Sequence, residues 1–441
     1  MGLKPNMANS MTNQHWFELD RKYRLEGRRI PSVVMEKAKG VNIWDVEGNK
    51  YLDFGSGQMA MLTGHSHPAI LQAVKEQSEL LMHTSNTVIN IPRILLAQKI
   101  AEITPGNLQK SFFACAGSES VDHAIRLAKK YTGRFEVVGV LSCFHGRTIG
   151  PASYSSSLPK ARAGYGPHLP GATFIPAPYC YRCRFKETPP CNLSCLDYAE
   201  EVIEKTTSGE PAAFVFEVMI GGGGMVIPPK EWIKRVRRMC DERNTILIDD
   251  ESLTGVGRTG KWFACDYYGL VPDILTTSKG LGGGVPLSAV VTSDGIAAHA
   301  VEQGYIGSAT HMGDPLQCAV GLANLKVIEE DNLLENANKV GAYLKQGFEA
   351  LAKRFEVIGD VRGVGLFLGI EFVESRETRK EAYELTEEFV DACRQRGLLL
   401  SKVGALKTNV IRICPPLIIT EEDAAQCLNV SEDALKALES N

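Results

Sequence analysis

Residues 245–261 read TILIDDESLTGVGRTGK. A short apolar run, TILID, is the signature of a buried strand, and it leads into three consecutive acids and a glycine-rich loop. GVGRTG fits the dinucleotide fingerprint G-x-G-x-x-G, and GVGRTGK nearly completes a phosphate-binding loop. A dinucleotide fingerprint must follow its strand directly and open a helix that packs on it. Here DESLT intervenes, and KWFACDYYG carries no amphipathic stripe. The phosphate loop needs Ser or Thr after its lysine, and residue 262 is Trp. The glycines are read as a tight loop after an acid at a strand end. A nucleotide-dependent enzyme using Gly255–Lys261 stays as a distant alternative.

Working outward, strands and helices alternate. SFFACA (111–116), EVVGVLS (136–142), AAFVFEV (212–218) and DILTTS (273–278) read as strands. In the helix expected over 118–131, Val121, Ala124, Ile125 and Ala128 fall on one stripe. PKEWIKRVRRMCDER is a proline-started helix with Trp232, Ile233, Val236, Met239 and Cys240 on one face. This alternation predicts an α/β fold with a mostly parallel sheet covered on both faces. Earlier, VNIWDVEGNKYLDFGSG reads as a hairpin following a polar arm. After two long helical stretches over roughly 316–355, a smaller α/β unit with antiparallel strands is expected. The expected division is an arm and hairpin (1–60, part of the small domain), a large domain (61–325) and a small domain (326–441).

Ligands in such sheets bind at the carboxyl ends of strands. Gly117-Ser118 opens a helix there, where backbone N–H groups and the helix dipole suit a phosphate. Phe144-His145 supplies an aromatic able to cover a flat ring. Asp250 and Lys279 follow two further strands. A phosphate cradle, an aromatic lid, a carboxylate and an amine at one edge are the parts that pyridoxal phosphate requires. Each residue alone has a plainer reading, as a solvated lysine, a turn-forming acid, a helix start or a core aromatic.

With 441 residues, 44% hydrophobic and 23% charged, the chain has the balance of a globular enzyme large enough for two domains. A net charge of −4 gives no drive toward nucleic acid or anionic membranes. The first residues lack the apolar core of a signal peptide, and Asn6 argues against myristoylation at Gly2. No apolar run is long enough to span a bilayer, so a cytoplasmic location is expected. Of twelve cysteines, Cys180, Cys183, Cys191 and Cys195 cluster as C-x-x-C and C-x-x-x-C. Four such thiols can wrap a zinc ion; the plainer reading is a surface excursion whose thiols pack or pair locally.

The words GHSHP (64–68), AGSES (116–120), FHGRT (144–148), IDDE…TGVGRTG (248–260), PDILTTSKGLGGGVP (272–286) and DPLQCAVGLA (314–323) are those of a known family. Along nearly its whole length the chain resembles the class III aminotransferases, fold-type-I pyridoxal-phosphate enzymes. The resemblance implies that Lys279 carries the cofactor as a Schiff base, that Asp250 pairs with the pyridine nitrogen and that Phe144 stacks on the ring, with His145 beside it. It implies that Gly117 and Ser118 hold the phosphate, joined by Thr310 from the other subunit of a homodimer or dimer of dimers. Arg412 matches the family's substrate-carboxylate arginine. The implied reaction moves an amino group from an amino acid or amine to a 2-oxo acid. Gln58, a second candidate for binding a substrate carboxylate, and Asp314 resemble the dialkylglycine decarboxylase branch, in which that acid helps bind potassium or sodium and transfer is coupled to decarboxylation.

Two departures stand out. Leu253 replaces the Gln that bonds the cofactor's phenolic oxygen. Val218 and Gly222 replace the Pro and Glu of the family's E-P-x-x-G-E-G-G region. Losing a donor to a charged acceptor is worth about 1–3 kcal/mol. Elimination, replacement or racemisation on the same cofactor is therefore the alternative reaction.

Overall fold

The computed structural model describes residues 12–25, 33–157, 162–403 and 408–439; the expectations at Gly2 and Asn6 lie outside them. A seven-stranded sheet forms the centre. In spatial order its strands are Lys110–Ala114, Ser288–Thr292, Ile274–Thr277, Ile246–Asp250, Ala213–Phe216, Val137–Val140 and Ala172–Ile175. The four pairings among the last five strands are all parallel, whereas Ser288–Thr292 runs antiparallel to both its neighbours. Helices cover both faces, so the inner strands are apolar on both sides; Val137–Val140, Ala213–Phe216 and Ile274–Thr277 are buried throughout.

The helices form where the apolar stripe dictates. Gly117–Thr132 buries Val121, Ala124, Ile125 and Ala128 and ends at Gly133 in the left-handed region (φ 70°). Lys230–Glu242 buries Trp232, Ile233, Val236, Met239 and Cys240. Within KWFACDYYG there is one short helix, Ala264–Tyr268, too brief for a stripe.

Helix Pro315–Glu330, in which residue 325 lies, leads into Leu333–Arg354. Beyond them the strands Ile358–Val364, Phe367–Phe372 and Val410–Ile413, with the short Ser401–Lys402, form an antiparallel sheet. The amino-terminal hairpin, Asn42–Asp45 against Lys50–Asp53, is joined by the parallel pairing of Leu398–Leu399. The two ends of the chain thus share a sheet.

The loop 255–260 binds these parts together. Arg258 is fully buried, and its guanidinium donates to the carbonyl oxygens of Leu366 (3.3 Å) and Pro415 (2.5 Å) and to Ser56 Oγ (3.1 Å). A Cβ at Gly257 would stand 2.9 Å from Leu417, and one at Gly260 would stand 2.1 Å from Asn338 Oδ1. Protein fills the space that a nucleotide phosphate would need. The nucleotide alternative fails on this geometry.

Candidate active site

Four strand ends converge on one cavity of about 340 Å³. The first contributes Gly117 and Ser118, at the start of a 16-residue helix whose leading N–H groups have no acceptor within the helix. Glycine is required there: a Cβ at Gly117 would approach Ser278 Oγ to 2.8 Å, and one at Gly146 would approach Ser118 Oγ to 2.3 Å.

The second strand end contributes Phe144 and His145, and the third contributes Asp250. His145 Nδ1 meets Asp250 Oδ2 at 2.8 Å. Asp250 Oδ1 accepts from Thr276 Oγ1 and from the Ser252 N–H, each at 3.1 Å. Burial alone would raise this carboxyl; the hydrogen bond and charge of His145, together with Lys279, hold it below the usual carboxylate range. Its neighbours turn elsewhere. Asp249 accepts from the Val218 N–H (3.0 Å), and Glu251 accepts from the N–H groups of Ala264 (2.9 Å) and Cys265 (2.8 Å). Strand alternation separates the three acids, and only Asp250 lines the cavity.

The fourth strand end contributes Lys279, half-buried in a short turn, Lys279–Gly282, with φ at 36°. Burial lowers its amine below the ordinary lysine range, opposed by the charges of Asp250 and Glu217. No other lysine among the described residues lines the cavity.

Residues 24–435 match the class III aminotransferase family. The chain belongs to that family. An acetylornithine aminotransferase of Caldanaerobacter subterraneus is 36% identical to it over 95% of this chain and 98% of that one. A leucine/methionine racemase of Thermococcus litoralis is 38% identical over 92% and 91% respectively. Among solved structures, a Bacillus anthracis aminotransferase superposes with TM-score 0.91 at 28% identity, over 99% of this chain and 100% of that one.

Class III aminotransferases use pyridoxal 5′-phosphate, and the residues present fit it. The cavity joins a helix N-terminus, an aromatic side chain, an anionic carboxylate and an amine. Its wall also holds a buried nitrogen, His145 Nε2, that finds no partner among the described residues. Of the eight residues expected around the cofactor, Gly117, Ser118, Phe144, His145, Asp250 and Lys279 line this cavity, whereas Leu253 and Thr310 do not. Leu253 is half-buried and packs on Gly221, where a Cβ would come within 2.3 Å of its Cδ1. Thr310 is exposed.

Arg412 is buried, and its guanidinium donates to the Lys402 carbonyl (2.6 Å) and to Gln58 Oε1 (3.4 Å). The two expected substrate-binding residues therefore touch each other. Asp314 is buried at the start of helix Pro315–Glu330, with His83 Nδ1 at 2.8 Å from one oxygen and His311 Nδ1 at 2.6 Å from the other. Imidazole nitrogens suit transition metals more than potassium or sodium, which prefer oxygen donors.

Sequence reading missed Glu217, although it too ends a strand. Its oxygens accept from the N–H groups of Phe144 (2.8 Å) and Gly221 (2.9 Å), fixing the aromatic wall to the glycine-rich turn. Burial, partly offset by His145, pushes this carboxyl up to about 7. A folded-state value above the unfolded one means that its contribution is fully present below the unfolded pKa and is lost as pH rises through about 7. Unfolding free energy should therefore fall by about 3 kcal/mol from this group across pH 4.5–7. Glu217→Gln should flatten that part of the denaturant-midpoint profile. An unchanged slope would assign the dependence to other groups.

Proposed function

We propose that this aminotransferase takes the amino group of an α-amino acid or amine and delivers it to a 2-oxo acid, with Lys279 as the proton carrier. The observation that carries the reading is the shared cavity: the Lys279 amine and the Asp250 carboxylate line it together, beside the N-terminus of a long helix. Gly117 and Ser118 would hold the phosphate of the cofactor, Phe144 would cover its ring, and Asp250 would keep a proton on its pyridine nitrogen. When bound, pyridoxal phosphate withdraws electrons from the substrate α-carbon. The Lys279 amine, made more basic by Asp250 and Glu217 than burial alone would leave it, takes the α-proton as general base.

Arg412 would receive the substrate carboxylate through a bidentate pair. Its contact with Gln58 makes the two side chains one carboxylate-binding point, with Gln58 able to turn a carboxylate toward the bond that breaks. Arg412→Ala should raise KM for α-amino acid donors by about 30-fold, which corresponds to about 2 kcal/mol, and leave simple amine donors little changed. An equal loss for both donor classes would remove Arg412 from carboxylate binding. Supplying 2-aminoisobutyrate and pyruvate tests the decarboxylating branch: carbon dioxide release that depends on Gln58 supports it, and amino transfer without carbon dioxide rejects it.

Leu253 favours a second reading, racemisation, because an aliphatic group packed on Gly221 stands where the family has an amide. The similarity to the Thermococcus litoralis racemase supports the same reading.

A homodimer is the proposed assembly. Leu80, Leu81, Ile89, Ile91 and Leu95 are exposed along a groove of about 700 Å³, an apolar surface of the kind that a second copy could cover. The exposed Thr310, away from this chain's own cavity, would complete the phosphate site of the second copy. No helix among the described residues is long and apolar enough to cross a membrane, and a cytoplasmic location is proposed.

A further inference from the structure

The four clustered cysteines sit on a lobe that the reaction does not use. Cys180 and Cys183 flank the tight turn Cys180–Arg182, and the N–H of Lys186 closes a second turn on the Cys183 carbonyl at 3.1 Å. Cys191 precedes helix Ser194–Thr206, and Cys195 lies in its first turn. All four are free and half-buried, and all four line a single cavity of about 30 Å³. That volume suits a single ion or water molecule.

The four cysteines border one small cavity. They are not at ligand spacing, since no three of them come within 4.8 Å of one another. A bound ion must draw them in by side-chain rotation, within turns already formed.

We propose that Cys180, Cys183, Cys191 and Cys195 bind one thiophilic divalent cation, zinc, as a structural centre. Soft thiolate ligands in a four-fold set select zinc over calcium or magnesium, and four protein ligands leave no open position for catalysis.

The centre has a mechanical consequence, because the residues between and beside the cysteines are a latch. Tyr179 receives a hydrogen bond from Arg362 Nη2 (2.6 Å) and donates its own to Glu371. Arg182 Nε lies 2.5 Å from Glu371 Oε1, and Arg182 Nη1 donates to the Arg379 carbonyl at 2.7 Å. Arg362 also donates to the Gly224 carbonyl (2.8 Å), in the turn whose Gly222 lies against Phe144. An ion that fixes the cysteine turns therefore fixes the contact between the lobe, the carboxyl-terminal sheet and the active-site turn.

The test is elemental analysis of the reduced holoenzyme, purified without chelator, followed by chelation and refilling with cobalt. About one zinc per chain is expected, as is the visible absorption of tetrahedral thiolate-bound cobalt saturating at about one equivalent. The double variant Cys183→Ser/Cys191→Ser should lose both signals while keeping its cofactor absorbance. Because local unfolding of that variant would also abolish both signals, chelation of the unaltered chain provides a second readout: faster proteolysis between residues 180 and 195. Zinc well below one equivalent with no cobalt spectrum would overturn the proposal. So would metal that survives the double substitution, iron in place of zinc, or two fewer titratable thiols because of a disulfide.

Discussion

Lys279→Ala is expected to lower kcat by at least about 10²–10⁴-fold, the range that one positioned general acid–base group contributes, while cofactor remains bound. No other lysine among the described residues lines the cavity, so nothing there replaces its amine. The phosphate cradle at Gly117 and the acid Asp250 do not depend on it for their positions. Asp250 is held by His145, Thr276 and the Ser252 backbone, and Gly117 by its helix. Small primary amines added to the variant should restore part of the rate, because the cavity has room once the butyl chain is removed. Full activity in the variant would assign the proton transfer to another group.

Asp250→Asn should lower kcat by about 10²–10³-fold with the fold intact, a cost typical of removing one preorganised electrostatic partner. The change is isosteric, but it reverses the hydrogen bonding to His145. Oδ1 accepts from two donors, Thr276 Oγ1 and the Ser252 N–H, so the new amide oxygen stays there and the NH₂ group turns to His145 Nδ1. His145 must then carry its proton on Nε2, the nitrogen that lacks a partner among the described residues. Proton abstraction should slow without a matching loss of substrate binding, which a deuterium-labelled substrate can resolve. The linkage has the opposite sign to that of Glu217. A carboxyl held low stabilises the fold above its unfolded pKa, and that stability is lost as pH falls through the folded value. The asparagine variant should therefore lose less stability on acidification than the unaltered chain does.

Much of the site was legible because strand ends are legible. Asp250 and Lys279 each follow a buried apolar strand, and the sheet rule brings such positions to one edge. The strand Ser288–Thr292 shows what was not legible: its composition is that of the parallel strands elsewhere in the sheet, and only the tertiary connection reverses it. Glu217 escaped notice because its partners are backbone N–H groups, one of them 73 residues away, which no side-chain pattern reports. Gln58 and Arg412 were read as two separate carboxylate holders, 354 residues apart in the chain; they meet because the segment after the hairpin is bonded to the end of strand Val410–Ile413, the Cys414 N–H donating to the Phe54 carbonyl at 3.0 Å. Leu253 was expected to alter the cofactor's surroundings from within. Its side chain instead packs on Gly221, so any effect passes through the glycine-rich turn.

The most direct measurement is a single half-reaction: holoenzyme mixed with ¹⁵N-labelled α-amino acid and no 2-oxo acid, then quenched and analysed for products. The account predicts release of 2-oxo acid limited to about one equivalent per site, with the ¹⁵N retained on the enzyme until pyruvate collects it as alanine. Many turnovers to the opposite enantiomer, with no 2-oxo acid and no label passed to pyruvate, would contradict it.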